Sequence, residues 1–251
     1  MNLSIILRTH DTNSVHTNKR FIEASKKEIV QKCVGSLLSS ISSYENKDNI
    51  SLTVIDDHSS NNTIDFIKNG LSSLDCKTNF IPLSSTGNSE SMKKAYEIGL
   101  TDKNDLIYFV EDDYFHKMES INIMMNDWKF FTEKLESRPI ILVPYDDPFN
   151  YSQEHMLPTR VVYGIDRHWR QSYHTTWTMF MSKWALMHFW DKFMAFSQYG
   201  VDPKINEDNT INLLYSKFGI LLFNPLPFLA FHVCDTPPFV GDWKSLWEKE
   251  I

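Results

Sequence analysis

The chain has 251 residues, 42% of them hydrophobic and 14% aromatic, enough to bury the core of one large domain. Its net charge of −7 excludes a general binder of nucleic acid or of anionic membranes, which needs a basic face, so any anionic ligand must be held by local groups. Three scattered cysteines, Cys33, Cys76 and Cys234, offer neither a disulfide framework nor a zinc spacing. With no signal-peptide start and no apolar run of about 20 residues, the sequence predicts a cytoplasmic protein without a transmembrane segment; peripheral association with a membrane stays open.

Leu3 to Leu7 is an apolar run suited to a buried strand, and a polar loop from Thr9 to Lys19 follows. Ile22, Ile29, Val30, Cys33, Val34, Leu37, Leu38 and Ile41 recur at the helical period and predict a long helix with one packing face. Leu52 to Ile55 reads as a second strand, Thr63 to Leu74 as a helix and Phe80-Ile81 as a third strand. Ser84 to Ser89 reads as a loop, Ser91 to Leu100 as a helix and Leu106 to Val110 as the fourth strand. This alternation predicts an α/β fold with a mostly parallel sheet, whose ligands bind beyond the carboxyl ends of the strands. A helix from Met118 to Leu135 and a strand from Ile140 to Val143 continue the pattern, which then breaks down. Pro144 to Thr175, rich in Pro, aromatic and charged residues, suits a ligand-facing loop or hairpin. A strand over Thr176 to Met181 and helices over Trp184 to Phe196 and Asp208 to Phe218 complete the reading.

The fourth strand runs straight into Glu111-Asp112-Asp113. Three adjacent carboxylates repel one another and resist desolvation at a strand's end, so beyond a solvated turn they suit a site where a hard divalent cation compensates them. Asp56-Asp57 ends the second strand at the same edge.

In order along the chain, Ser4 to Asp11, Cys33 to Leu38, Val54 to Thr63, Phe109 to Asp113 and Asn206-Glu207-Asp208 together resemble a glycosyltransferase of the GT-A fold, family 2 type. The resemblance covers about 210 residues. It implies a first half, 1–115, that binds the nucleotide-sugar, and a second half, 116–251, that binds acceptor and carries catalysis. Three departures stand out: His58 takes the place of the family's usual glycine, Asn61 or Asn62 replaces its later aspartate in that segment, and the Q-x-x-R-W motif of processive synthases is absent, which favours single addition.

By that resemblance Asp113 of the D-x-D-like motif coordinates Mn²⁺ or Mg²⁺, Asp112 binds ribose or donor sugar and Glu111 supports them. Asp57 accepts from the nucleobase, with Arg8, Thr9, His10 and Asp11 lining the same pocket. Asp208, or Glu207 beside it, is the general base, and inversion follows from in-line attack. His232 is a candidate late metal ligand, while Arg170, Thr176 and Trp177 lie where donor sugar and acceptor meet. The plain alternatives are helix-cap acids for Asp57 and Asp208, and core positions for His232 and Trp177. The implied reaction moves one sugar from a nucleoside diphosphate sugar, UDP-sugar first, to a glycan, lipid-linked or small-molecule acceptor. A sugar-phosphate nucleotidyltransferase should carry a Gly-rich loop after the first strand, where Arg8 to Asp11 has no glycine. A non-catalytic sugar-nucleotide or glycan-binding module is the remaining alternative.

Overall fold

The structure, a computed structural model, describes residues 1–12, 20–136, 138–151, 159–175 and 177–249. The first strand, β1 (Leu3–Thr9), is buried at every position, as expected for a central strand covered on both faces. Its side chains alternate, with Ile6 entering one apolar layer and Leu3, Ile5 and Leu7 the other. The following helix, α1 (Lys26–Ser42), starts four residues after Ile22, where the Ser25 side chain accepts from the Glu28 amide and caps the first turn. Then come β2 (Ile50–Asp56), α2 (Asn61–Ser72), β3 (Lys77–Pro82), α3 (Asn88–Thr101) and β4 (Leu106–Glu111). All four strands pair in parallel, in the order β3-β2-β1-β4.

That order places a reversal at the centre of the sheet: the chain steps outward from β1 to β2 and β3, then returns to β1's other side as β4. A crevice opens at such a point because the connections leave in opposite directions. The carboxyl ends of β1 and β4 and the residues that follow them, Arg8 to His10 and Glu111 to Asp113, flank it.

The second half extends the same sheet. After the short β5 (Tyr114–His116), helix α4 (Ser120–Lys134) buries Ile121, Met124, Met125, Trp128 and Phe131 along one face. The remaining strands are β6 (Ile140–Leu142), β7 (Val161–Tyr163), β8 (His168–Ser172), β9 (Met179–Ser182), β10 (Leu221–Leu226) and β11 (Ala230–His232). The sheet has nine strands in the order β3-β2-β1-β4-β9-β6-β10-β8-β7, and only β9 and β8 run against the rest. The expected α/β class with a mostly parallel sheet is therefore what the chain forms. α1, α2 and α4 cover one face; α3, with α5 (Lys183–His188) and α6 (Trp190–Phe196), covers the other. A one-turn α7 (Leu213–Ser216) and the terminal α8 (Trp243–Glu248) complete the described elements. Among the described residues no helix is long and apolar enough to cross a membrane.

Two expected helices come out differently. Trp184 to Phe196 is broken at Phe189 (φ −111°, ψ 28°) into α5 and α6. Asp208 to Phe218 shrinks to α7, because the side chains before it bind the backbone themselves. Asn209 N–H donates to Asn206 Oδ1 at 2.9 Å, Asn206 N–H to Asn209 Oδ1 at 3.1 Å and Thr210 Oγ1 to the Asn206 carbonyl at 2.5 Å. Such local bonds compete with the helical ladder.

β5 and β11 pair antiparallel as a separate two-stranded ribbon. At its end His116 is buried, with Nδ1 2.9 Å from the Tyr114 carbonyl and Nε2 2.7 Å from the Tyr108 hydroxyl. The carbonyl requires a proton on Nδ1, and the neutral ring then accepts the Tyr108 hydroxyl at Nε2. Burial pushes its pKa down to about 4, although the Tyr114 carbonyl pulls the other way. The unfolded chain therefore takes this proton near 6.5 and the folded chain only near 4, so stability present at neutral pH is lost as pH falls through that window. Urea unfolding at pH 7 and 4.5 should show the wild type losing about 2 to 3 kcal/mol more than His116→Gln. Equal acid losses in the two proteins would acquit His116.

Candidate active site

The crevice beside β1 and β4 is a cavity of about 590 Å³. Arg8, Thr9 and His10 enter it from the end of β1 and the loop beyond, Asp57 from just after β2, Gly87, Asn88 and Ser91 from the start of α3, and Glu111 to Asp113 from the end of β4 and the turn beyond. Arg20 and Lys26 line it too. The three adjacent acids do not share one partner. Glu111 pairs with Arg8 at 2.9 Å and Asp112 with Lys26 at 2.5 Å, and Asp113 faces His232, with Oδ1 3.4 Å from Nε2. This division answers the repulsion that the sequence raises, since each carboxylate meets a different cationic or protonatable group.

Arg8 is fixed on several sides: Nη1 donates to Asn88 Oδ1 at 2.6 Å and to Ser91 Oγ at 3.0 Å, and its guanidinium lies 4.1 Å from the centroid of the Trp177 ring. Trp177 itself is 1% exposed and packs on Phe109 and Tyr96. It is thus a wall behind Arg8 and presents no face to a sugar; Thr176 lies outside the described residues.

Asp112 also accepts the His10 amide at 2.6 Å, tying the loop after β1 to the end of β4. Burial raises Asp112 above the ordinary carboxylate range even with Lys26 opposing, whereas Lys26 is raised, burial being outweighed by Asp112 and Asp113. Burial also lifts Glu111 against the pull of Arg8. Asp113 behaves differently. Its own burial acts upward, but His232, followed by Lys26, holds it well below the usual carboxylate range. His232, lowered by burial and raised by Asp113, ends well above the ordinary imidazole range. Its ring stacks on Tyr114 at 4.6 Å with an 8° interplanar angle, which fixes the direction of Nε2.

The loop after β2 is equally constrained. Asp57 Oδ2 accepts the Gly87 amide at 2.8 Å, and Oδ1 is 3.0 Å from His58 Nδ1. His58 sits at φ 60°, a conformation that glycine reaches without steric cost, which accounts physically for the glycine that the resemblance expects there. Thr9 donates to Asp56, while Asp11 accepts from the amide and hydroxyl of Ser60 ahead of α2, so Asp11 acts on the helix entry.

Arg170, Glu207 and Asp208 line a second cavity of about 770 Å³, together with Phe149, Tyr151, Tyr173 and His174. Asp208 is exposed, and its Oδ1 accepts from Asn212 Nδ2 at 2.9 Å. Arg170 is buried, ion-paired with Asp146 and stacked at 4.1 Å on Tyr151, whose hydroxyl also donates to Asp146. Burial, then Glu207 and Glu111, push the hydroxyl pKa of Tyr199 up. One phenol thus senses an acid from each cavity.

No family model matches the chain, and no curated protein matches it. Solved structures do. S. aureus TarS 1-349 in complex with UDP is 14% identical, with a TM-score of 0.49 over 78% of this chain and 55% of that one. S. aureus TarS 1-349 gives 15% and 0.48 over 75% and 49%. Mannosyltransferase PcManGT from Pyrobaculum calidifontis, in complex with GDP-Man and Mn²⁺, gives 9% and 0.43 over 60% and 37%. The chain spans about half the length of these structures or less.

Sequence reasoning missed Lys26, Arg20, Asn88 and Tyr199. Lys26 did leave a signal: a lysine at the first position of a helix opposes the macrodipole, so it calls for a compensating anion such as Asp112. Arg20, Asn88 and Tyr199 carry no comparable mark, because their place depends on where distant loops meet.

Among the described residues no three His, Cys, Asp or Glu gather as a metal-binding set. Asp113 and His232 offer one oxygen and one imidazole nitrogen, while Glu111 and Asp112 are committed to Arg8 and Lys26. Two such donors fit Mn²⁺ only where the ligand's own oxygens complete the sphere.

Proposed function

We propose that this chain is a metal-dependent, inverting glycosyltransferase of the GT-A type, transferring one sugar from a nucleoside diphosphate donor, UDP-sugar first. The observation that carries the reading is the crevice at the chain reversal between β1 and β4, where Arg20 and Lys26 stand beside the Asp113–His232 pair. A diphosphate needs cations, and a bound divalent ion needs an oxygen donor with space left for phosphate; the crevice offers both. Asp113 and His232 would hold Mn²⁺ or Mg²⁺, which neutralises the charge that grows on the departing diphosphate.

In this reading Asp57 and the loop after β1 receive the nucleoside, and Asp112 and Arg8 anchor the donor's ribose and sugar side. Residues 1–115 then supply the donor half, and 116–251 the acceptor and catalytic half. Asp208, in the second cavity, takes the proton from an acceptor hydroxyl as its oxygen attacks the anomeric carbon and the bond to the diphosphate breaks. Attack from the side opposite the leaving group inverts that carbon. Glu207 lines the same cavity as Asp208 and is the alternative base.

Calorimetry and thermal unfolding with UDP, with and without Mn²⁺, test this reading. UDP at about a hundred times its Kd should raise Tm by about 5 to 10 °C in Mn²⁺. No binding of UDP or GDP at millimolar concentration, in either condition, would overturn it.

A further inference from the structure

The cations of the two cavities bear on what the acceptor can be. In the donor crevice Arg8 and Lys26 are paired with Glu111 and Asp112, while Arg20, whose Nε donates to the Val233 carbonyl at 3.2 Å, has no carboxylate partner among the described residues. In the second cavity the single guanidinium, Arg170, is already engaged: it is 7% exposed, ion-paired with Asp146 and covered by the Tyr151 ring. His174 turns its Nδ1 to the Asn212 amide at 2.9 Å, so that nitrogen serves as an acceptor. Glu207 and Asp208 add two carboxylates to the same lining. Among the described residues no unpaired cation faces this space, and a phosphate entering it would meet acids with nothing to offset its desolvation.

What the cavity does offer is aromatic surface with hydroxyl acceptors beside it. Phe149, Tyr151 and Tyr173 are 39%, 41% and 42% exposed, high for such large rings, and they flank the carboxylates. A pyranose presents the complementary pair of features, an apolar C–H face for a ring and hydroxyls for carboxylates. Resting on the transferase reading above, we infer that the group seated in this cavity is an uncharged pyranose, the terminal sugar of a glycan, and that a sugar phosphate or a sugar joined directly to a lipid pyrophosphate is rejected there.

Saturation-transfer NMR on the full chain, with and without UDP and Mn²⁺, tests this. Maltose, cellobiose and chitobiose serve as uncharged probes, and glucose 1-phosphate and glucose 6-phosphate as charged ones. At least one disaccharide should receive saturation, and its affinity should weaken on the order of threefold to tenfold in Tyr173→Ala through loss of ring stacking. The sugar phosphates should give none. In Asp146→Asn the guanidinium of Arg170 loses its partner, so a sugar phosphate should gain a signal that Asp146→Asn combined with Arg170→Gln lacks. Wild-type binding of a sugar phosphate that Arg170→Gln abolishes would overturn the inference, as would silence from every disaccharide in a sample that binds UDP. Disaccharide binding without any UDP binding would instead remove the transferase reading and leave a glycan-binding module.

Discussion

Asp113→Asn is expected to abolish the dependence of UDP binding on Mn²⁺ while leaving the fold intact. The side chain is only 18% exposed, yet its structural bond runs through the backbone, since the Asp113 carbonyl accepts the Val233 amide at 2.8 Å. An asparagine keeps that bond and the shape. What it removes is the one carboxylate of the triplet that is not committed to a lysine or arginine, so His232 is left as the sole protein donor. Without metal the change should not weaken UDP, because one negative charge leaves a crevice that also holds Arg20 and Lys26. The measurement is the ratio of UDP affinities with and without Mn²⁺, by calorimetry on wild type and mutant. That ratio should collapse toward one, and an unchanged ratio in a folded mutant would free Asp113 of any metal role.

How legible all this was in the sequence depends on how local the cause of each feature is. β1, β2 and β4 announce themselves because a strand buried on both faces is rich in apolar and β-branched residues, and the helices between them carry a 3.6-residue period. Their alternation puts the acids of β4 and the loop of β1 at one carboxyl edge, while the reversal in strand order makes them neighbours. The ribbon of β5 and β11 is the opposite case. Three residues, Tyr114 to His116, become a strand only because Ala230 to His232 arrives beside them from the far end of the chain. The same arrival brings His232 to Asp113, so this pairing could be suggested by resemblance but never by spacing. Trp177 shows a further limit: an aromatic beside polar residues reads equally as a sugar platform or as core, and its packing on Phe109, Tyr96 and Arg8 decides for core. At Asn206 to Thr210 the sequence suggested a helix start, whereas its own side chains fold it into turns.

Those turns bear directly on Asp208. A helix-capping acid would sit just ahead of a helix and accept from its free amides; Asp208 instead lies five residues before the single-turn α7, exposed, with Oδ1 accepting from Asn212 and its carboxylate on the second cavity. A capping role is therefore weak on geometry, and its bond to Asn212, itself 2.9 Å from His174, orients the carboxylate in the cavity. Asp208→Asn is expected to lower turnover about 10²-fold or more at saturating donor, the usual worth of a general base, while UDP affinity in Mn²⁺ stays at the wild-type value. The separation follows from position, since Asp208 lines the second cavity and Arg20, Lys26 and Asp113 line the first. Because the amide preserves size and the site is exposed, Tm should move little. Transfer rate, UDP affinity and Tm measured on one preparation distinguish the outcomes. Near-normal turnover would reduce Asp208 to a turn acid and pass the base to Glu207, which lines the same cavity.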